Sequence, residues 1–171
     1  SKALVKKLTE QVGQGSRYRV RREIARGGMG TILRVWDDDL RRNLAMKIMH
    51  SSRPLDEERS DSASYDREKL LRFLEEAQIT GQLDHPGIVP VHDLCVDPDE
   101  GVYFTMRLVR GQDLRAVFGL VETGEDGWNR TRALSVLLKV CEAMAFAHSR
   151  GIVHRDLKPA NVMVGRFGEV Y

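Results

Sequence analysis

The feature that most constrains the fold of this chain is a change in the period of its hydrophobic residues. Three β-prone runs, at residues 18–25, 31–36 and 44–50, are separated by turns rich in glycine and aspartate. They predict a three-stranded antiparallel meander. Residues 67–83 then return to a helical period, with leucines and alanine near one face, so a helix is expected to follow the meander.

Two further β-prone runs, at residues 89–96 and 102–109, follow the predicted helix. They are joined by the Asp-Pro-Asp-Glu-Gly sequence of residues 97–101, which is typical of a tight hairpin turn. Five strands and one helix predict a small α+β lobe over residues 18–109. The preceding residues 1–17 are interpreted as a separate N-terminal extension, with a short helix predicted within it at residues 3–12.

The remainder of the chain, residues 110–171, is predicted to be mainly helical. A short helix is expected at 113–118, a Gly-rich connector at 119–130, and a strong helix at 132–149 that is apolar almost all round. Such a helix belongs inside a larger core. Apolar surface left bare on it would favour self-association, with the connector allowing segments to exchange between copies. A strand cut near Val170 would add an unpaired edge.

The composition excludes some functions. Hydrophobic residues make up 42% of the 171 residues, and the net charge of +2 gives no electrostatic case for a nucleic-acid partner. No run of about eighteen apolar residues is present, so no membrane segment is predicted. Cys95 and Cys141 lie in no metal-binding or redox pattern, which favours reduced thiols and a cytoplasmic location. Polar residues 51–66 predict a long exposed loop.

The stretch with the most specific chemistry is residues 154–161, His-Arg-Asp-Leu-Lys-Pro-Ala-Asn. It resembles the catalytic loop of protein kinases. The resemblance implies that Asp156 orients the attacking hydroxyl and accepts its proton, and that Lys158 supplies a cation near the transferred phosphate. The amide of Asn161 would be a ligand for Mg²⁺. A lysine two residues after the aspartate is similar to the serine/threonine branch of the family.

A glycine-rich turn upstream resembles the phosphate-binding loop of the same family. Residues 24–32 read Ile-Ala-Arg-Gly-Gly-Met-Gly-Thr-Ile and run between two predicted strands. Glycine lets backbone N–H groups approach phosphates because no Cβ stands in the way. Alone, this pattern could equally be a plain hairpin turn. Nucleotide contacts are expected from the tip residues Gly27, Gly28, Met29 and Gly30, while Ala25 departs from the family's first glycine.

The third predicted strand carries Leu-Ala-Met-Lys at residues 44–47, where kinases carry Val-Ala-Ile-Lys. The resemblance implies that Lys47 contacts the α- and β-phosphates of ATP. Its expected partner is a glutamate on the following helix, where both Glu75 and Glu76 occur. The sequence Phe-Leu-Glu-Glu-Ala at residues 73–77 is similar to the bacterial Phe-x-x-Glu-Ala pattern, which favours Glu76 and leaves Glu75 on the solvated face.

Residues 103–111 look like the end of strand five leading into the hinge between two kinase lobes. The resemblance implies further nucleotide contacts beyond the glycine turn and Lys47. Met106 would be the gatekeeper, and Asp113 would contact the ribose. The other implied contacts are backbone groups that face adenine, from Arg107 and Leu108, and apolar side chains around the ring, from Ile24, Ile32, Ala45 and Met163.

Taken over residues 18–171, the chain is similar to the bacterial serine/threonine kinases of eukaryotic type. That resemblance implies a protein-kinase-like α+β fold, ATP and Mg²⁺ as cofactors, and a protein substrate. Kinases also carry an Asp-Phe-Gly or similar triplet beyond the asparagine, but no Asp lies among the ten residues after Asn161. The expectation is a domain truncated before that triplet and inactive on its own.

Two alternatives to a protein kinase are a non-catalytic module that binds nucleotide or a partner, and a small-molecule phosphotransferase. The second also carries an Asp followed five residues later by Asn. Arg155 and the Lys158-Pro159 pair argue against it. The non-catalytic module remains open at the level of sequence. An Asp-x-Gly triplet in the parent sequence would favour the enzyme over this module.

Overall fold

A computed structural model describes residues 17–50, 60–97 and 101–171. The helix predicted at 3–12 lies outside the described residues, as do much of the predicted loop at 51–66 and the centre of the turn at 97–101. The chain divides into two compact units. One holds the residues up to Gln82 together with Pro90–Leu108, and the other holds Leu83–Val89 and Val109–Tyr171.

The first unit is built on a five-stranded antiparallel sheet, as the sequence predicts. Its strands follow the order β1-β2-β3-β5-β4, so that the hairpin of β4 and β5 joins the meander through β5. One helix, α1, belongs to this unit and starts earlier than predicted. The bounds are β1 Tyr18–Arg26, β2 Gly30–Asp37, β3 Arg42–Met49, α1 Ser60–Gly81, β4 Val91–Asp97 and β5 Gly101–Arg107.

Both faces of this sheet bury apolar side chains. Burial alternates along strand β2: Leu33 and Val35 are fully buried, and the residues on either side of each are half-buried. They belong to one cluster, whereas α1 packs Phe73 and Ala77 against Phe104 on the other side of the sheet. The first cluster is completed by Tyr18, Leu44, Met46 and Ile48.

Strand β1 carries two irregularities that a simple alternating pattern does not predict. Its register against β2 shifts between Val20 and Arg22, and again between Glu23 and Ala25. Each shift sets two residues of β1 against one residue of β2, which is the geometry of a β-bulge. The bulges decide which face of the sheet the side chains around them occupy.

The second unit contains two helices and a small two-stranded sheet. The strands are β6, Gly111–Asp113, and β7, Met163–Gly165, and the helices are α2, Leu114–Thr123, and α3, Arg130–Ser149. Short 3₁₀ turns lie at Glu125–Gly127 and Pro159–Asn161. The small sheet was not predicted, because three-residue strands leave no periodic signal.

The connector predicted at 119–130 starts later than predicted, because helix α2 continues to Thr123. Leu120 and Val121 pack on the apolar cluster around Val117, so burial outweighs the helix cost of Gly119. The helix ends at Gly124, whose φ of 73° is the left-handed conformation of a helix C-cap.

The end of the chain, where the sequence predicts an unpaired edge, pairs on one side with β7. Val170 bridges Val164 and is buried. Met163 and Tyr171 exchange two backbone hydrogen bonds of 2.8 and 2.9 Å. The final residues therefore pair with β7.

Helix α3 is only partly buried, so part of its apolar surface is bare. Asn129 caps its start, since its side chain accepts the N–H of Arg132 at 2.9 Å. One stripe of small and β-branched side chains is buried within the second unit, while Leu134 and Leu138 are 64% and 60% exposed. The helix is apolar almost all round, but only one stripe of it packs against other described residues.

Residues Leu83–Val89 were placed with the first lobe by sequence and group with the second unit in the structure. The His85 ring lies 4.9 Å from the Phe146 ring of α3, and a Cβ built on Gly87 would stand 3.1 Å from the Cβ of Ala143. Among the described residues, none of the helices has the length and apolar character needed to cross a membrane.

Candidate active site

Lys47 and Glu76 form the ion pair that the sequence predicts. The Nζ of Lys47 lies 2.6 Å from both carboxylate oxygens of Glu76, and only 14% of the lysine side chain is exposed. The Phe73 and Phe104 rings each lie 5.8 Å from that nitrogen. A mostly buried ammonium group with one fixed carboxylate partner is therefore held on the sheet.

The register of helix α1 decides which glutamate reaches Lys47. Phe73 and Ala77 are buried against the sheet, and Glu76 lies three residues after Phe73 on the same side of the helix. Glu75 is exposed. The apolar contacts of the helix therefore turn the carboxylate of Glu76, and not that of Glu75, toward Lys47.

The glycine-rich turn joins β1 to β2, and the space available for a side chain differs among its glycines. A Cβ at Gly30 would lie 2.3 Å from the carbonyl oxygen of Ile48, so the backbone of β3 requires this glycine. A Cβ at Gly28 would meet nothing within 4 Å, and one at Gly27 would meet only the Gly30 carbonyl at 4.0 Å. The fold explains Gly30 and leaves open space at the other two.

Histidine at the end of β3 anchors this turn, which the sequence did not reveal. The backbone N–H of His50 donates to the Met29 carbonyl at 3.3 Å, and the His50 ring lies 2.6 Å from the buried Thr31 hydroxyl. Burial, together with nearby Arg26, lowers the pKa of His50. The side chain of Met29 itself is 42% exposed at the tip.

The sheet face that carries Lys47 also carries apolar side chains. Ile32 stands opposite Lys47, and Ala45 stands opposite Met106 one row away. The second bulge of β1 sets both Ile24 and Ala25 against Ile32. An apolar surface beside a lysine is suited to a flat ring that carries phosphates. The residues on this face that the sequence assigned to the nucleotide are Ile24, Ala25, Ile32, Ala45, Lys47 and Met106.

At the end of β5, the backbone N–H of Arg107 donates to the Pro90 carbonyl at 3.2 Å. That N–H is therefore not the group through which Arg107 could contact adenine. Leu108 follows directly and is half-buried, as the last residue of the first unit.

In the second unit, Asp156 lies at the centre of an exposed polar cluster. The Lys158 ammonium donates to its two carboxylate oxygens at 3.0 and 2.8 Å. The Asn161 amide nitrogen donates to the Asp156 carbonyl at 2.8 Å and to its carboxylate at 3.1 Å. Lys158 first, and then Asn161, lower the pKa of Asp156, so the carboxylate stays ionised at neutral pH.

Tight local turns produce this cluster. The N–H of Asp156 donates to the His154 carbonyl at 2.8 Å, and the intervening Arg155 has a φ of 61°. This left-handed conformation is strained for a residue with a Cβ and often marks functional loops. The 3₁₀ turn then brings Asn161 back toward Asp156, with its N–H bonded to the Lys158 carbonyl at 2.9 Å.

Asp113, which the sequence assigned to the ribose, has a clear role in the fold. One of its carboxylate oxygens accepts the Ala116 N–H at 2.9 Å, which caps helix α2, and the other accepts from Arg115 at 3.0 Å. The Ala116 hydrogen bond is the main cause of its lowered pKa. Met163 stands opposite Asp113 in the β6–β7 pair and is half-buried.

Metal ligands are sparse in the described part of the chain. It contains no group of three or more His, Cys, Asp or Glu residues that could hold a metal ion. In the Asp156 cluster the Asn161 amide nitrogen is the donor, so the amide oxygen is the atom suited to a cation. Asn161 can thus supply one ligand, and a bound Mg²⁺ would take its others from elsewhere, phosphates included.

Comparison with known proteins places these features in context. A family model described as the protein kinase domain matches residues 18–170. The chain is 34% identical over 165 residues to the serine/threonine-protein kinase PknD of Protochlamydia amoebophila, and 37% identical over 161 residues to PknD of Chlamydia caviae. These matches cover 92% and 90% of this chain but only 16% of each relative.

Among solved structures, the chain is similar to one described as the PpkA-294 apo form. The TM-score is 0.75 at 19% identity, and the match covers 92% of this chain and 57% of the other. At that identity the likeness concerns the fold.

Proposed function

The chain belongs to the protein kinase domain family, and on that premise we propose that its parent protein transfers the γ-phosphoryl group of ATP to serine or threonine hydroxyls of proteins. The observation that carries the proposal is the Asp156 cluster. A carboxylate held by Lys158 and Asn161 has the composition that phosphoryl transfer needs: an acceptor for the hydroxyl proton beside a cation for the phosphate.

Within this cluster the side chains would divide the work. Asp156 orients the substrate hydroxyl and accepts its proton as the oxygen attacks. Its lowered pKa suits it to orientation more than to proton removal ahead of attack. Lys158 exchanges its contact with Asp156 for the transferred phosphate, where its charge offsets the charge that develops in the transition state.

ATP fits the first unit on two observations. The space beside Gly27 and Gly28 lets phosphates approach the backbone, and Lys47 is a mostly buried cation oriented by Glu76. The apolar face around Ala45 and Met106 suits adenine. Mg²⁺ would neutralise phosphate charge when bound, and Asn161 is the residue that would contact it.

The 171 residues on their own are expected to transfer phosphate very slowly. Removing one charge-stabilising group from a preorganised site costs on the order of 10²–10³ in rate. The ten residues after Asn161 include no aspartate that could act as the family's second metal ligand. Weak nucleotide binding through Lys47 and the glycine turn is expected to survive.

The test of the proposed activity uses the full-length parent protein with labelled ATP and a generic basic protein as acceptor. Asp156→Asn is expected to lower kcat by about 10²–10⁴, because the proton acceptor is lost. Asp126→Asn, an exposed aspartate in the Glu125–Gly127 turn, is the matched control and keeps wild-type kcat. Equal activity of wild type and Asp156→Asn would contradict the proposal, as would label found only on small molecules.

A non-catalytic module that binds nucleotide is the second candidate, and Ala25 in place of the family's first glycine favours it. Calorimetry of the parent with ATP, with and without Mg²⁺, separates the two readings. Binding without turnover, unaffected by Asp156→Asn, supports the module. Turnover that depends on Asp156 supports the enzyme.

We also propose that the chain self-associates through the exposed leucines of α3. Leu134, Leu137 and Leu138 are 64%, 38% and 60% exposed, and burying apolar area yields about 25 cal/mol per Å² before entropy costs. Segment exchange through residues 119–130 stays a prediction, and α2 occupies that stretch up to Thr123. Light scattering at high concentration tests association, and a monomer of 19.4 kDa would contradict it.

A cytoplasmic location is proposed on the supply of ATP there and on the two free cysteines, Cys95 and Cys141. Fractionation of cells that carry the parent protein tests this location. Recovery of the kinase domain outside the cytoplasmic face would contradict it.

A further inference from the structure

Three arginines meet at the first bulge of β1, and the proposed phosphoryl transfer uses none of them. Val20 pairs with Val35 and Arg22 pairs with Arg34, so Arg21 is the extra residue of the bulge. Two arginines of β1 therefore stand against one arginine of β2. We call Arg21, Arg22 and Arg34 the arginine triad.

The triad lies on the sheet face that carries Lys47. Arg34 stands opposite Ala45, and Ile32, two residues away on the same strand, stands opposite Lys47. Side chains two residues apart on a strand share a face and are separated by about 7 Å. The guanidinium of Arg21 lies 5.9 Å from the centre of the Trp36 ring, which is on this face as well.

The carboxylates nearest in sequence are engaged with other cations. Glu23 binds Arg26 at 2.6 Å, and Asp38 binds Arg19. Across the described residues, no carboxylate forms an ion pair with a member of the triad. Within the part of the chain that the structure describes, the positive charge of the triad therefore has no ion-pair partner.

The contacts that the triad does make orient it without neutralising it. Arg34 donates its Nε to the neutral side-chain oxygen of Asn43 at 2.9 Å. Arg21 rests beside Trp36. Arg21 and Arg22 are exposed, and Arg34 is half-buried. The guanidinium groups of Arg21 and Arg34 are thus partly preorganised, and the triad is accessible to a ligand.

Like charges directly opposite in an antiparallel pair destabilise it, and the side chains of Arg22 and Arg34 begin only about 5 Å apart. An anion between them would reverse the sign of this interaction. A carboxylate carries one charge and fits one guanidinium fork. A phosphate monoester carries a charge of about −1.5 to −2 and three acceptor oxygens, so it matches several forks at once.

We propose that the arginine triad binds the phosphate of a phosphoserine or phosphothreonine on a protein segment. This ligand rests on the proposed function, because a serine/threonine kinase places such groups on itself and on its substrates. The position also supports it: a phosphate on the triad lies one row of side chains from Lys47, where a bound segment would lie close to the nucleotide face. The triad would thus let phosphorylated protein influence nucleotide binding.

Fluorescence anisotropy with a labelled phosphoserine peptide tests the proposal on the 171-residue chain, without ATP. Arg22→Gln and Arg34→Gln are each expected to weaken binding about tenfold, since each removes a charged fork. Arg67→Gln, an exposed arginine on α1, is the matched control and leaves binding unchanged. Because no phosphoryl transfer is measured, failure of the proposed activity would not affect this result.

Thermal melting of the same variants separates loss of the site from loss of the fold. Removing one of two opposed cations is expected to leave the melting temperature of Arg22→Gln equal to or above that of wild type. Reduced binding by a stable variant supports the proposal. Unchanged binding by both stable variants overturns it.

Competition distinguishes the phosphopeptide from other anions. Equal binding of the peptide with serine or glutamate in place of phosphoserine would overturn the proposal, as would equally tight binding of inorganic phosphate. Displacement by ADP, with ADP affinity lowered equally in Arg22→Gln and Arg34→Gln, would assign the triad to the nucleotide and overturn it. Tighter binding of single-stranded RNA at the same residues would do so too.

Discussion

At the scale of single residues, the glycine turn shows that packing requires glycine at one position of a motif and not at another. Gly30 is required inside the protein, because the Ile48 carbonyl lies where a Cβ would stand. Gly28 has no such neighbour. We propose that its lack of a side chain serves a ligand that approaches the turn from outside.

These two glycines form a matched pair of substitutions. Gly30→Ala is expected to destabilise the fold by about 1–3 kcal/mol, because the new methyl group displaces the β3 backbone. Gly28→Ala is expected to keep the melting temperature and to weaken ATP binding, since its methyl group stands where phosphates approach. Calorimetric melting and nucleotide titration measure both effects. A large loss of stability in Gly28→Ala would contradict this division.

The two glutamates of helix α1 offer a second matched pair. Glu76→Gln is expected to weaken ATP binding, because Lys47 loses the carboxylate that orients it at 2.6 Å, while Glu75→Gln leaves binding unchanged. Glu76 is 38% exposed, so the pair contributes about 0–1 kcal/mol and stability is expected to change little. Equal nucleotide affinity of the two variants would show that Lys47 needs no partner.

At the scale of elements, Asp113 connects a helix cap with a proposed ligand contact. Asparagine caps a helix as well as aspartate does, whereas alanine does not. We expect Asp113→Ala to lower the melting temperature, because the Ala116 N–H loses its acceptor. We expect Asp113→Asn to melt close to wild type. If Asp113 also binds ribose, both variants weaken ATP binding. Unchanged ATP affinity in Asp113→Asn would show that Asp113 only caps the helix.

At the scale of the whole described molecule, Asp37 is the centre of a network that ties the first unit together. This fully buried carboxylate accepts two hydrogen bonds from Arg17, at 3.0 and 2.9 Å, and two from the backbone of the β2–β3 turn. Arg17 also contacts Asp93 of β4 at 3.2 Å. The network joins the start of β1 to the β2–β3 turn and to β4, the edge strand at the other end of the sheet order.

The network predicts a dependence of stability on pH. The hydrogen bonds from Arg17 lower the pKa of Asp37 below its ordinary value of 3.8. A lowered pKa means that the stabilisation is fully present above that ordinary value and is lost as the pH falls through the folded value. Asp37→Asn is expected to destabilise the protein at neutral pH by about 1–3 kcal/mol and to flatten acid unfolding below pH 3.8.

Urea unfolding as a function of pH measures this effect. Asp38→Asn is the control, because the exposed Asp38–Arg19 pair lies at the same turn and is not part of the buried network. It is expected to keep the wild-type dependence on pH. An Asp37→Asn protein that loses stability in acid as steeply as wild type would contradict the assignment.

Local sequence by itself determined most of the fold of this protein and its family. Hydrophobic period and turn residues predicted the five strands and the helix α1, because the periods of strands and helices are set by neighbouring residues. Residues 154–161 and the Leu-Ala-Met-Lys sequence that ends at Lys47 identified the family, because each is a short, contiguous pattern. The choice of Glu76 over Glu75 likewise followed from the residues around it.

Only the tertiary structure decided which residues meet across strands and which helix faces are covered. The bulge that collects Arg21, Arg22 and Arg34, the close approach of Ile48 to Gly30, and the pairing of β6 with β7 depend on backbones far apart in sequence. The exposed leucines of α3 follow the same rule, since a helical pattern shows how apolar a face is, whereas neighbouring elements decide whether that face is buried.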